Sequence, residues 1–241
     1  MIFAAGLGTR LKPLTDSMPK ALVPVGGRPL IDHVLHKLEM TDVKKVVVNV
    51  HHFSSQIVDY LDRHAPANID IRISDESKQL LETGGGIKKA RPLFDNSEPI
   101  LIHNVDILSN ACLDSLYNVK ADAVLLVSDR LSSRRLLFDD EQRLVGWKNM
   151  ITGEMKSPFS WVKKADDDNQ LRRLAFSGIH LFSPTLFPLM DEWPERFPIV
   201  DFYLKACAQK EIKAVIQQDL RLLDVGKIDS LTQAEQFLIQ S

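Results

Sequence analysis

The feature that most constrains this chain is a rhythm: short apolar runs alternate, through the first half, with stretches whose apolar residues recur at helical spacing. Met1 to Ala5 reads as a strand, Lys45 to Val50 as a β-branched strand, and Pro99 to Asn104 and Asp122 to Val127 as buried strands. Ile69, Ile71 and Ile73 alternate with Asp70 and Arg72, as in a strand with one polar face. Between them, Leu30, Ile31, Val34, Leu35 and Leu38 repeat as one face of a helix that Pro29 can start. Ile57, Val58 and Leu61 mark a short helix, and another is expected after Gly86, ending near Pro92. Parallel strands need crossovers, and helical crossovers cover both faces of the sheet. Right-handed crossovers then gather the carboxyl ends of the strands at one edge, where ligands bind. The expectation is an α/β protein of Rossmann-like character with a mixed, mainly parallel central sheet.

The second half is less regular. Leu136 to Asp139 and Leu144 to Trp147 predict a hairpin around Asp140-Glu141-Gln142. Lys148 to Gln170 is polar and reads as a loop with some mobility. Leu174 to Phe182 predicts a strand, Val200 to Cys207 a helix and Leu222 to Val225 a short strand. Leu231, Ala234, Phe237 and Leu238 predict a closing helix, with Asp229 as its cap. No repeat, low-complexity linker or composition break divides the 241 residues, so a single domain is expected.

Composition excludes several classes. Lysine and arginine number 30 against 32 acidic residues, a net charge of -2, which argues against broad nucleic-acid or polybasic membrane binding. Cys112 and Cys207 are far apart, so neither a disulfide framework nor a thiolate zinc site is expected, and a reduced cytoplasm fits. No apolar stretch reaches the roughly 20 residues a membrane span needs. The start has no secretory pattern, because its short apolar run meets Gly6, Gly8 and Arg10 at once. A first strand that begins at Met1 is short for a buried one, and residues ahead of it are expected in the native chain.

Chemistry concentrates in a few strings. The opening runs Ala4-Ala5-Gly6-Leu7-Gly8-Thr9-Arg10-Leu11, then Pro13-Leu14-Thr15, then Pro19-Lys20-Ala21-Leu22-Val23-Pro24-Val25. A strand enters a glycine loop, whose backbone N–H groups can cradle phosphate oxygens while Arg10 and Lys20 add positive charge. A Walker loop would need Gly-Lys-Ser/Thr, and a dinucleotide fingerprint would need a third glycine where Leu11 stands. That last absence weakens an oxidoreductase reading. Downstream come Leu81-Glu82-Thr83-Gly84-Gly85-Gly86-Ile87, Asn104-Val105-Asp106 at a strand end, Ser177-Gly178-Ile179, and Leu223-Asp224-Val225-Gly226.

Together these strings resemble the signature of nucleotidylyltransferases that join a nucleoside triphosphate to a sugar 1-phosphate, from Ala4 to Gly226. The fold implied is the nucleotide-diphospho-sugar transferase fold, with a nucleotide-binding part of about 1–110 and a sugar-phosphate-binding part of about 111–241. The resemblance implies a nucleotide site at Ala4, Ala5, Gly6, Gly8, Thr9, Arg10, Glu82, Thr83, Gly84 and Gly85. It implies catalytic roles for Arg10, Lys20 and Asp106, and Mg²⁺ held by Asp106 and Asp224. Asn104, Ser177 and Gly178 would meet the sugar phosphate. The larger Val105 stands where the family's common string has glycine, and no Glu-Lys-Pro string supplies a second lysine. Lys148, Lys156, Lys163 and Lys164 are the available substitutes. Among relatives the chain looks most like N-acetylmuramate-1-phosphate uridylyltransferases, with mannose-1-phosphate and heptose-1-phosphate guanylyltransferases as alternatives. The partners implied are UTP or GTP and a sugar 1-phosphate, on a monomer or small homo-oligomer. A non-catalytic sensor of the same ligands is the rival of another class. His51, His52 and His103 show no zinc-binding spacing and are expected to be structural or on the surface.

Overall fold

The computed structural model describes residues 1–95 and 97–239. The chain begins with β1 (Ile2–Phe3), a small hairpin of β2 (Pro24–Val25) and β3 (Arg28–Pro29), and α1 (Leu30–Glu39). β4 (Lys45–Val50), α2 (Ser54–His64), β5 (Asp70–Asp75), α3 (Glu82–Ala90) and β6 (Ile100–Asn104) continue the strand–helix alternation. Then come β7 (Ile107–Ser109), α4 (Asp114–Tyr117), β8 (Ala123–Ser128), β9 (Arg134–Phe138), β10 (Leu144–Asn149) and β11 (Met155–Lys156). The remainder is α5 (Val162–Asp167), β12 (Arg172–Phe182), α6 (Phe187–Met190), α7 (Ile199–Ala206), β13 (Ile212–Ile216), β14 (Leu222–Asp224) and α8 (Asp229–Ile239).

The main sheet is mixed. β1, β4, β5 and β6 run parallel in the order β6-β1-β4-β5, and β13 runs parallel to β8. β12 is the antiparallel spine: its residues pair with β6 and β8 on either side, and its start pairs with β9 of the hairpin. The parallel strands are apolar on both faces because both are covered. Val46, Val48 and Val50 of β4 pack with α1 and α2, while Val47 faces the opposite core with α3, α6 and α7. The carboxyl ends of β1 and β6 therefore lie side by side at one edge. No helix among the described residues is long and apolar enough to cross a membrane.

Several expectations need correction. β1 is only two residues long, because the backbone leaves the ladder at Ala4 to form the glycine loop. α3 begins at Glu82, so the glycine string is helical rather than a loop ahead of a helix. Lys148 to Gln170 is not one loop: it contains β11 and α5, with Val162 and Ala165 packed on Leu137, Val145 and Leu171. Its polarity is partly internal. Asp166 is fully buried between Lys148 Nζ at 2.5 Å and Arg173 Nε at 2.6 Å. Burial pushes that carboxyl up, but the bonds from Arg173 and Lys148 outweigh it and hold it below the ordinary range. Asp229 is the first residue of α8 rather than the residue before it, and the Ser230 hydroxyl bonds the Lys227 backbone there.

Candidate active site

The glycine loop is fixed from behind. Asn49, buried at the end of β4, accepts the N–H groups of Ala4 at 2.7 Å and Ala5 at 3.3 Å through Oδ1. These two amides thus serve the loop's own architecture rather than a phosphate. The N–H groups of Gly6, Leu7 and Gly8 have no partner among the described residues, and Gly6 faces open space. Gly8 adopts φ 64°, and a Cβ on it would lie 2.8 Å from Thr15 Cγ2, so this position requires glycine. Thr15 Oγ1 donates to the Gly8 carbonyl at 2.8 Å and closes the loop onto the turn that carries exposed Thr9 and Arg10.

Charged groups converge beside this loop. Lys20 opens a short 3-10 turn after Pro19, is largely buried, and forms an ion pair with Asp106 Oδ2. Asp106 lies just past β6, between that strand and β7. β14 pairs antiparallel with β7, with Asp224 opposite Ile107, and Val225 N donates to the Asp106 carbonyl at 2.8 Å. This short ladder is what joins two aspartates so distant in sequence. Partial loss of hydration and then the negative charge of Asp106 push the Asp224 carboxyl up, against the pull of Lys20, Arg10 and Arg130. Gly226 completes the arrangement: a Cβ there would sit 2.7 Å from Asp224 Oδ1 and 2.8 Å from Arg10 Nη2. Arg10, Lys20, Asp106 and Asp224 therefore share one cleft. The donors fit a hard cation, since both acids supply oxygen only. No cluster of three or more metal-binding side chains exists among the described residues, so substrate oxygens would have to complete the shell.

The Glu82 to Gly85 string lies across Asn49 from the loop. Asn49 Nδ2 donates to Glu76 Oε1 at 2.7 Å, and Glu76 Oε2 accepts Leu81 N at 3.1 Å, just ahead of α3. Glu76 is fully buried, and that burial pushes its carboxyl up, against the bonds from Asn49 and Leu81. The string also clasps the segment 195–199. Gly84 N and Gly85 N donate to the Phe197 carbonyl at 2.9 and 3.2 Å, and Thr83 Oγ1 accepts Ile199 N at 2.9 Å. Glu82, at φ 62°, pairs with Arg196 at 2.9 Å. A Cβ on Gly84 would strike the Phe197 ring, and one on Gly85 the Glu195 carbonyl. The glycines are thus required by close backbone packing.

On the sugar side, Gly178 has φ 78° within a break of the β12–β8 register, and a Cβ on it would lie 2.6 Å from Asn104 Nδ2. Asn104 and Gly178 are therefore together. Ser177 is not available with them: it is buried, and its hydroxyl accepts Ile179 N at 3.2 Å. Among the lysine substitutes, Lys148 is held by Asp166, and Lys156 lies over the Trp147 ring and 3.6 Å from Asp201. Lys163 and Lys164 are exposed on α5. His103 is buried, His51 bonds the Glu76 carbonyl at 2.6 Å, and His52 is exposed. Sequence reasoning missed Asn49, Glu76 and Arg130. A polar residue inside the β-branched run of β4 was the available signal for Asn49.

Comparison with known proteins decides the family, because the nucleotidyl transferase family model matches residues 1–125. The chain belongs to that family. It is 34% identical over 196 residues to the N-acetylmuramate alpha-1-phosphate uridylyltransferase of Caulobacter vibrioides, covering 77% of this chain and 75% of the relative. The protein of the same name from Neisseria meningitidis is 40% identical over 187 residues, with 78% and 76% covered. Among solved structures, HddC from Yersinia pseudotuberculosis complexed with GMP-PN superposes with a TM-score of 0.75 at 20% identity, covering 98% of this chain and 97% of its own. That likeness concerns the fold, an α/β fold of Rossmann-like character.

Proposed function

We propose that this nucleotidyl transferase moves a uridylyl group from UTP to N-acetylmuramate 1-phosphate and releases pyrophosphate. The observation that carries the reaction is the meeting of Arg10, Lys20, Asp106 and Asp224 in one cleft beside the glycine loop. The choice of base and sugar is supported by the two uridylyltransferase relatives. Residues 1–110 would form the nucleotide half and 111–241 the sugar-phosphate half. A cytoplasmic monomer or small homo-oligomer fits this reading.

The chemistry follows from charge. A phosphate oxygen of the sugar 1-phosphate attacks the α-phosphorus in line; a new P–O bond forms, and the bond to the bridging oxygen breaks. Pyrophosphate leaves with that electron pair. The attacking phosphate is already an anion at neutral pH, so no general base is required. The obstacle is repulsion between two anions. Arg10 and Lys20 offset it and stabilise charge gathering on the leaving group. Asp106 and Asp224 would hold a divalent cation, Mg²⁺ by its preference for oxygen ligands, and when bound it supplies further positive charge against the phosphoryl oxygens. Free N–H groups at Gly6, Leu7 and Gly8 offer donors to the triphosphate, and the rigid loop holds them in place.

The test is pyrophosphate release with Mg²⁺, from UTP, GTP, CTP and dTTP, each against a panel of sugar 1-phosphates. UTP with N-acetylmuramate 1-phosphate should react fastest. Faster release from GTP and mannose 1-phosphate would replace the substrates and keep the reaction. No release from any pair would overturn the proposal.

A further inference from the structure

The cleft has an imbalance. Both cations that face it from the first half, Arg10 and Lys20, belong to the glycine loop and its sequel, and Lys20 is already paired with Asp106. The incoming sugar phosphate is a second anion and approaches from the other half. Of the four lysines considered as substitutes, Lys148 is held by Asp166, Lys156 lies over Trp147 near Asp201, and Lys163 and Lys164 are carried on α5. One arginine of the second half is held next to this side of the site: Arg130, bonded to the Phe176 carbonyl two residues before Gly178, which packs on Asn104.

Its setting is built. Arg130 follows β8 and is exposed. Its Nη2 donates to the Phe176 carbonyl at 3.0 Å, at the edge of the register break that contains Gly178. From behind, Arg135 fixes the turn: Nη2 bonds the Arg130 carbonyl at 3.0 Å, and Nη1 bonds Asp129 Oδ1 at 2.8 Å and the Arg173 carbonyl at 2.9 Å. The guanidinium of Arg130 is therefore anchored through one N–H while most of its donors stay free. It has no carboxylate partner within salt-bridge distance among the described residues. An exposed, anchored guanidinium without a counter-ion is suited to a phosphate monoester, which can take two of its N–H groups at once.

We infer that Arg130 binds the phosphate of the sugar 1-phosphate and positions its attacking oxygen, with the Asn104–Gly178 contact forming the floor beside it. This rests on the transferase reading, and it adds a residue that no family string on this chain marked.

The experiment is a steady-state comparison of wild type, Arg130→Ala, Arg130→Lys and Arg134→Ala, using the NTP and sugar 1-phosphate that wild type turns over fastest. Arg130→Ala should raise KM for the sugar phosphate at least tenfold and leave KM for the NTP within twofold. Arg130→Lys should recover part of that loss. Arg134→Ala, which changes a neighbouring exposed arginine, should match wild type. A thermal midpoint shared by all four proteins separates lost binding from lost folding. An unchanged sugar-phosphate KM in Arg130→Ala, or an equal rise in both KM values, overturns the inference while wild-type turnover still stands. Absence of pyrophosphate release by wild type removes the transferase reading and this inference together.

Discussion

Asp224 carries a carboxylate whose charged form the fold disfavours, through lost hydration and the neighbouring charge of Asp106. A folded-state value above the unfolded one means that ionised Asp224 costs stability near neutral pH. Asp224→Asn should therefore cut turnover at least a hundredfold while keeping or raising the thermal midpoint. A lower midpoint would sink this account, and full turnover would remove Asp224 from the site. Asn49 has the opposite character, since its three hydrogen bonds all hold structure. Asn49→Leu would strand the Ala4 and Ala5 amides and one oxygen of buried Glu76. Unpartnered buried groups of this kind cost about 1–3 kcal/mol each, so a total loss of at least about 3 kcal/mol is expected in urea unfolding. A loss below about 1 kcal/mol would show that water replaces the amide.

Among the elements, α3 depends most on backbone proximity. Gly85→Ala must push the helix away from the Glu195 carbonyl and weaken two bonds to Phe197, at an expected cost of about 2–4 kcal/mol. Gly6→Ala, which meets open space, should stay within about 0.5 kcal/mol. Equal midpoints for the two variants would contradict the close-packing account. The same helix shows where reading from sequence runs out. The periodicity of β4 and α1 was legible, because burial of both strand faces and of one helix face leaves a pattern in apolar residues. Three successive glycines carry no such pattern, and their helical state comes from contact with a segment more than a hundred residues later. α5 escaped for a related reason: Asp166 reads as a solvated charge until Lys148 and Arg173 surround it. The charged site residues were legible through fixed strings, whereas Arg130 stands in no string and emerges only from three-dimensional placement.

At the scale of the molecule, the sheet buries two histidines that it keeps neutral. Burial lowers His103 to about 4 and His180 to about 3, from an ordinary 6.5. Below pH 6.5 the unfolded chain takes up protons that the folded chain refuses. The stabilisation is fully present above pH 6.5 and is lost as pH falls toward 3–4, with a slope of up to about 2.7 kcal/mol per pH unit for two protons. Urea midpoints between pH 7 and pH 5 should fall accordingly, and His180→Phe should flatten the slope by about half. A pH-independent midpoint across that range would refute it. The strand that carries Asp224 has one further consequence. It leaves the ribosome long after Asp106, so during translation the parallel core can form around a cleft that still lacks one of its acids. The nascent protein would be unable to assemble its full charge constellation until this late strand docks.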